Sequence, residues 1–181
     1  MADEVREKLL EWVGKPLGSN DPQLAPDPVN LPMIRHWVAA FDDRNPIYLD
    51  EEAARAAGHD GVVAPPAMLQ TWTMPTPILE GIGERGGVPT EIDPTSPLLI
   101  LDEAGYAATL ATNSELEFER PLRLGETLTA NSVLESVSER KQTGIGAGYF
   151  VTWVYLYRNE EGELVGRQVF RVFKFNPGGV A

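Results

Sequence analysis

Residues 41–74 read FDDRNPIYLDEEAARAAGHDGVVAPPAMLQTWTM, and the helix stops and starts in this stretch decide how the rest of the chain can fold. Asn45-Pro46 forces an extended step, because the residue before a proline avoids the helical region. Asp50 can cap a short helix with Glu51 and Glu52 in its first turn, where carboxylates meet the positive end of the helix dipole. Gly58 can close that helix in the left-handed conformation. Val62, Val63 and Ala64 then lead into Pro65 and Pro66, which suit the start of a further helix. Ala67, Met68, Leu69, Trp72 and Met74 make this helix apolar on nearly every side, so it is expected inside the protein. Pro75 and Pro77 end or kink it, leaving about nine regular residues, some 13 Å at about 1.5 Å each.

Upstream of this stretch, residues 5–13 alternate charge with Val, Leu and Trp at helical spacing until Gly14 and Pro16, a peripheral helix. GSNDPQLAPDPVN, residues 18–30, has the composition of an arm crossing the surface. Asn30 is a suitable N-cap, with Pro32 in the first turn of a helix running to Phe41. Met33, Ile34, Trp37, Val38 and Phe41 fall on one face of it at spacings of three and four. Asp42 and Asp43 then read as a solvated or capping pair at its end.

Downstream, residues 80–102 form a Gly- and Pro-rich excursion, a surface loop or lid. No Gly-Lys-Ser/Thr follows its glycines, and no G-x-G-x-x-G stands between a strand and a helix. The period then changes. Glu115, Glu117 and Glu119 alternate with Leu116 and Phe118, the pattern of a half-buried strand. A turn at Pro121–Glu126 follows, then TLTANSVLESVSER, GYFVTWVYLYR and ELVGRQVFRVFKF supply three more strands, the last two joined by a four-residue turn from Asn159 to Gly162. In YFVTWVYLY both alternation sets are apolar, so one face should meet the buried helix and the other a partner subunit. Gly144, Gly146 and Gly148 loosen the start of this strand. Helices first and an antiparallel meander after them define an α+β chain, with no internal repeat and no linker in residues 1–181.

Composition narrows the function. At 181 residues and 43% hydrophobic the chain fits one domain with a real core. A net charge of −12 argues against nucleic acid, which needs clustered Lys and Arg. With no cysteine there are no disulfides, thiolate metal sites or cysteine nucleophiles. No apolar run approaches the ~20 residues of a membrane span and the N-terminus lacks a signal-peptide core, so a cytoplasmic location without membrane attachment is expected. His36 and His59 lie far apart with no ligand-spaced carboxylates, so a metal site is not expected.

The motif Asp43-Arg44-Asn45-Pro46-Ile47-Tyr48, followed by AARAAGHDGVVAPPAML, resembles the MaoC-like dehydratase and hydratase family, and ELEFERPLRLGETL is similar to its strand and Pro-x-x-x-Gly turn. The likeness covers most of the chain. HWVAAFDDRNPIYLDEEAARAAGHDGVVAPPAM, LDEAGYAATLATN and KQTGIGAGYF are similar to the N-terminal half of the large subunit of actinobacterial steroid side-chain enoyl-CoA hydratases. The resemblance implies a single hot-dog fold, an antiparallel sheet wrapped around a central helix and preceded by short helices, and syn addition of water to a 2-enoyl-CoA. In catalytic members an Asp and a His five positions later handle the protons. A nearby Asn supports them, and backbone N–H groups at the central helix start hold the thioester oxygen. Ala64, Pro65, Pro66, Met68 and Trp72 are then the substrate-binding candidates, although Met68, Trp72 and Met74 read first as core. Arg120, Arg123, Lys141 and Arg171 are candidates for CoA phosphates. No cofactor is implied beyond the CoA of the substrate.

The chain departs from the family at one decisive place. Asp43 and Asn45 are present, but the histidine position holds Tyr48, a phenol that titrates near pH 10 and shuttles protons poorly at pH 7. His59, in the loop after Gly58, is a weak substitute, and His36 lies off the apolar stripe of its helix. The reading is therefore a MaoC-like subunit of a heteromeric enoyl-CoA hydratase. It lacks the full Asp/His dyad and pairs, in a heterodimer or heterotetramer, with a smaller catalytic hot-dog subunit around a bulky acyl group such as a steroid side-chain CoA ester. The alternatives are a self-sufficient homodimeric hydratase or thioesterase using Asp43, and a non-catalytic acyl-CoA-binding module. The family's large subunit usually continues into an acyl-CoA-binding domain, so the end at Ala181 points to a truncated or naturally short version.

Overall fold

The computed structural model describes residues 3–18, 22–83 and 93–179. Its frame is a six-stranded, wholly antiparallel sheet of β1 (Gln23–Leu24), β2 (Ala108–Phe118), β3 (Thr129–Val137), β4 (Lys141–Thr143), β5 (Gly146–Arg158) and β6 (Leu164–Asn176), in the order β1-β3-β5-β6-β2 with β4 paired to β5. The β5–β6 hairpin is the spine. Asn159 closes it by accepting from the N–H groups of Glu161 and Glu163 on its side-chain oxygen, and Gly162 takes the left-handed conformation at φ +81°. Gly148 answers a packing demand, since a Cβ there would run into the Lys174 carbonyl of β6.

The short helices lie before strands β2–β6, where the caps in the sequence place them. α1 spans Glu4–Leu10, α2 Leu31–Phe41, α3 Glu51–Ala56 and α4 Leu99–Glu103. Asn30 caps α2 by accepting from Met33 N at 3.0 Å, and Asp50 caps α3 by accepting from Ala53 N at 2.7 Å. Gly58 ends α3 at φ +91°.

The concave face of the sheet carries two apolar clusters. In one, Ile34 and Val38 of α2 meet Ala64, Met68, Leu69, Trp72 and Tyr157. In the other, Leu9 and Leu101 meet Leu134, Tyr149, Val151, Trp153 and Val172. The odd residues of β5 supply this face, and Tyr155 touches both clusters. The opposite face carries Phe150, Val154 and Leu156, each half-buried by its own neighbours.

Four expectations need correction. The central helix is a 3₁₀ helix, Pro66–Thr73, with its bonds closing over three residues: Met68 N–H donates to Pro65 O at 3.0 Å. At about 2.0 Å per residue eight residues reach about 16 Å, with a triangular cross-section that turns Ala67 outward. Met74 is 55% exposed instead of core, because the chain is already extended there ahead of Pro75. The first helix is not peripheral, since Leu9 is fully buried against Leu101 and Leu134, and Asp3, its N-cap, also accepts from Tyr149 OH at 2.9 Å. The strand of Glu115–Phe118 forms, but it is the edge strand β2 and is mostly exposed, with Phe118 at 43%.

Of the excursion 80–102, residues 84–92 lie outside the described residues. Its end is the start of α4, whose Leu101 is pulled into the second cluster.

Candidate functional site

The acidic elbow is built by the end of α2. Asp42 sits in the left-handed conformation at φ +49°, and Asp43 N–H donates to Val38 O at 2.9 Å. The Asp42 carboxylate holds Arg44 through two bonds of 3.0 and 3.2 Å, both side chains being largely exposed. Asp43 is half-buried and accepts from Asn45 N at 3.0 Å, while Asn45 accepts from Ile47 N at 3.3 Å to open the 3₁₀ turn Pro46–Tyr48. Both side chains thus commit an oxygen to local backbone.

Tyr48 packs against the first apolar cluster. Burial, and then the charge of Asp43, push its hydroxyl above its ordinary value, with a hydrogen bond to Asn45 acting the other way. Asp43, Asn45 and Tyr48 are therefore neighbours. At pH 7 the phenol is a neutral hydrogen-bonding group and no proton carrier.

The start of the central helix gives little more. Ala64, Met68 and Trp72 are buried in the first cluster beside Ile34 and Val38, Pro65 is buried with them, and Pro66 is half-buried. Pro65 and Pro66 have no N–H to offer. The N–H of Met68 is held by Pro65 O, so Ala67 carries the first N–H of the helix. The donor set for a developing thioester oxygen is thin. None of these five residues borders the large cavity over the sheet.

That cavity is a cleft of about 730 Å³ on the concave face, where the two apolar clusters meet. It exists because the central helix stops at Thr73. Pro75 and Pro77 forbid another turn of the helix. Trp153, Tyr155 and Val172 form its floor, Leu98 and Leu99 of the α4 segment one wall, and Leu24 and Pro26 of the arm another. Leu24 and Ile78, 66% and 41% exposed, stand at its margin.

One end of the cleft is charged. Lys174, 5% exposed, pairs with the Asp102 carboxylate, and its ammonium also donates to Thr109 Oγ1 at 3.1 Å and Ala107 O at 3.3 Å. Sequence reasoning passed over both residues. The signal was in VFRVFKF: Phe170, Val172 and Lys174 share the inward parity of β6, so a lysine was aimed at the core. Gln168, fully buried on the same parity, accepts from Tyr157 OH at 2.7 Å. It donates to Gln70 at 3.0 Å and Ser114 at 2.9 Å, tying the central helix to the sheet.

The other candidates stay apart from this cleft. His59 lines a recess of about 150 Å³ with Asp60, Arg120 and Arg123, and His36 is exposed on α2. Arg120 is bound by Glu126 and Glu163, Arg123 faces Asp60 at 3.5 Å, and Arg171 donates to Thr152 Oγ1 at 2.9 Å. Lys141 lies on β4, exposed beside the glycine hairpin. Among the described residues no group of three His, Asp or Glu side chains could hold a metal, and no helix is long and apolar enough to cross a membrane.

Comparison with known proteins finds a match to the family described as FAS1-like, dehydratase domain region, over residues 23–168. A Thermomonospora curvata protein named probable enoyl-CoA hydratase alpha subunit is 43% identical over 98% of this chain and 54% of its own length. The Mycobacterium tuberculosis 3-oxo-4,17-pregnadiene-20-carboxyl-CoA hydratase alpha subunit is 45% identical over 91% of this chain and 50% of its own length. The chain thus spans about half the length of these curated relatives. Among solved structures, a chain of the ChsH1-ChsH2 complex from Mycobacterium tuberculosis superposes with a TM-score of 0.78 at 39% identity, over 98% of this chain and 99% of that one. A MaoC-like dehydratase from Rhodospirillum rubrum, at 20% identity and a TM-score of 0.57, shares the fold.

Proposed function

Because the chain belongs to the FAS1-like dehydratase family of MaoC-like hot-dog proteins, we propose that it is the acyl-accommodating subunit of a heteromeric enoyl-CoA hydratase. Its partner, a smaller hot-dog chain, supplies the Asp/His pair. The reaction adds the hydroxyl of water to the β-carbon of a 2-enoyl-CoA and a proton to the α-carbon. The observation that carries the reading is Tyr48: the position that must exchange a proton near neutral pH holds a phenol raised above its ordinary value beside Asp43. The prolines at the helix start and the open cleft fit the same division of labour, one chain keeping the proton chemistry and the other making room. The relatives named as hydratase alpha subunits, one of them acting on a steroid carboxyl-CoA, make a steroid side-chain CoA ester the proposed substrate class.

The test is reconstitution. The chain alone is expected to leave enoyl-CoA absorbance unchanged, and co-expression with a catalytic hot-dog partner is expected to bring hydration. Asp43→Asn in the complex should leave the rate nearly intact. If Asp43 were the working base, losing it would cost about 100-fold or more, since a positioned acid or base contributes roughly 10²–10⁴. Hydration by the chain unaided, abolished by Asp43→Asn, would establish a self-sufficient enzyme instead.

A further inference from the structure

The charged end of the cleft has a hydrogen-bonding capacity that can be counted. Lys174 owns three N–H donors; it forms an ion pair with the Asp102 carboxylate and donates to Thr109 Oγ1 and Ala107 O, so three protein groups engage its ammonium. Thr109 directs its own hydroxyl toward Ala107 O at 3.4 Å. Asp102 is different. Its Oδ1 is buried and faces Lys174, yet the side chain keeps 25% of its surface and borders the cleft, so the second oxygen presents lone pairs to the cavity.

An ionised carboxylate only accepts hydrogen bonds. The cleft is lined by apolar side chains together with Thr73, Asp93, Ser96 and Ser132, and at Asp102 it favours a ligand that brings a donor. A carbonyl oxygen placed there would set lone pair against lone pair and strip the carboxylate of water without replacing its bonds.

We propose that the cleft receives the far end of a rigid, largely apolar polycyclic acyl group, and that Asp102, held in place by Lys174, reads a hydroxyl on it and disfavours a ketone. This rests on the acyl-accommodating reading above and adds to it which oxygen function the distal end carries. It departs from the 3-oxo group in the name of the Mycobacterium tuberculosis relative. Asp102 acts as a specificity determinant some distance from the bond being hydrated, and the ion pair with Lys174 holds its carboxylate in place.

The experiment is calorimetric titration of the full chain with two polycyclic acyl-CoA esters identical except for a ring hydroxyl or a ring ketone at the end far from the thioester. The hydroxyl ester is expected to bind about tenfold more tightly, the size of one hydrogen bond to a charged acceptor. Asp102→Asn adds an N–H donor and should erase or invert the ratio. Asp102→Glu, which keeps the charge and displaces the oxygen by one methylene, should also lower it if the Asn chain does not fold. A ketone ester bound as tightly as the hydroxyl ester by the unmodified chain overturns the proposal and leaves the acyl-accommodating reading standing, as does an undiminished tenfold preference in both variants. Binding of neither ester overturns both.

Discussion

The acidic elbow and the charged end of the cleft each hold an aspartate beside a cation, and they differ in what water does for them. Asp42 and Arg44 lie in solvent, where a salt bridge contributes little, and Asp42 ends α2 through its backbone N–H. Asp102 and Lys174 are withdrawn from water, where a charge must be matched by a partner and every donor must be placed. The elbow has the sequence of an active site and the physics of a surface turn. The cleft has no motif and the physics of a binding site. In this chain chemistry-bearing residues are found by burial and geometry more readily than by pattern.

The largest effect should follow from breaking the buried pair. Lys174→Met removes the counter-charge of Asp102 and frees Thr109 and Ala107 from their donor. Removing one partner of a buried pair costs about 3 to 5 kcal/mol, and the partial exposure of Asp102 places this variant near 3. Urea unfolding measures it. A loss below about 1 kcal/mol would make the pair equivalent to the exposed one at the elbow and remove the contrast.

A network between these extremes supplies the next effect. Arg120 bridges Glu126 and Glu163 in the recess near His59. Burial pushes the Glu126 carboxyl up, but the hydrogen bonds from Arg120 and from Arg123 N–H outweigh it, so the group sits below its ordinary value. The hydrogen bond from Arg120 likewise lowers Glu163. Carboxyls lowered by folding contribute stability that is complete above their unfolded value near 4.5 and is lost as pH falls through the folded value. Stability should therefore decline below about pH 4.5, and Arg120→Ala should flatten that decline while lowering stability at pH 7 by about 1 to 2 kcal/mol through the half-satisfied Glu126. Unfolding midpoints at pH 7 and pH 4 separate the two contributions. An unchanged pH slope would assign acid sensitivity to other carboxylates.

What could be read from sequence and what could not divides along contact range. The caps of α2 and α3, the Asn159–Gly162 hairpin and the strand periods are local, and the residues that make them lie within four positions of one another. The elbow trio is local as well, since Asp43, Asn45 and Tyr48 lie within five positions of one another. The helix type at Pro66–Thr73 was missed because an all-apolar segment fits several helical pitches, and the sheet and the Gln168–Gln70 contact decide between them. Burial of β2 was overestimated because alternation reports a strand's faces and says nothing of its place at the edge. Asp102 and Lys174 stand 72 positions apart, joined only when α4 folds back over β6. Their separate signals were an aspartate in a loop and an inward-facing lysine.

The smallest effect is expected at the position where the family motif is broken. Tyr48→His restores the motif residue in the sequence and leaves its surroundings as they are. Asp43 would still accept from Asn45 N, Asn45 from Ile47 N, and Pro65 and Pro66 would still withhold two N–H groups from the helix start. An imidazole there gains a titration range near neutrality without gaining a preorganised oxygen cradle, and one missing oxyanion donor is worth about 2.7 to 4 kcal/mol in the barrier. The variant alone should hydrate a short enoyl-CoA at the background rate, measured against the reconstituted complex in the same assay. Efficient unaided turnover would show that one side chain separates the elbow from an active site, and that the difference between the two regions lies in sequence after all.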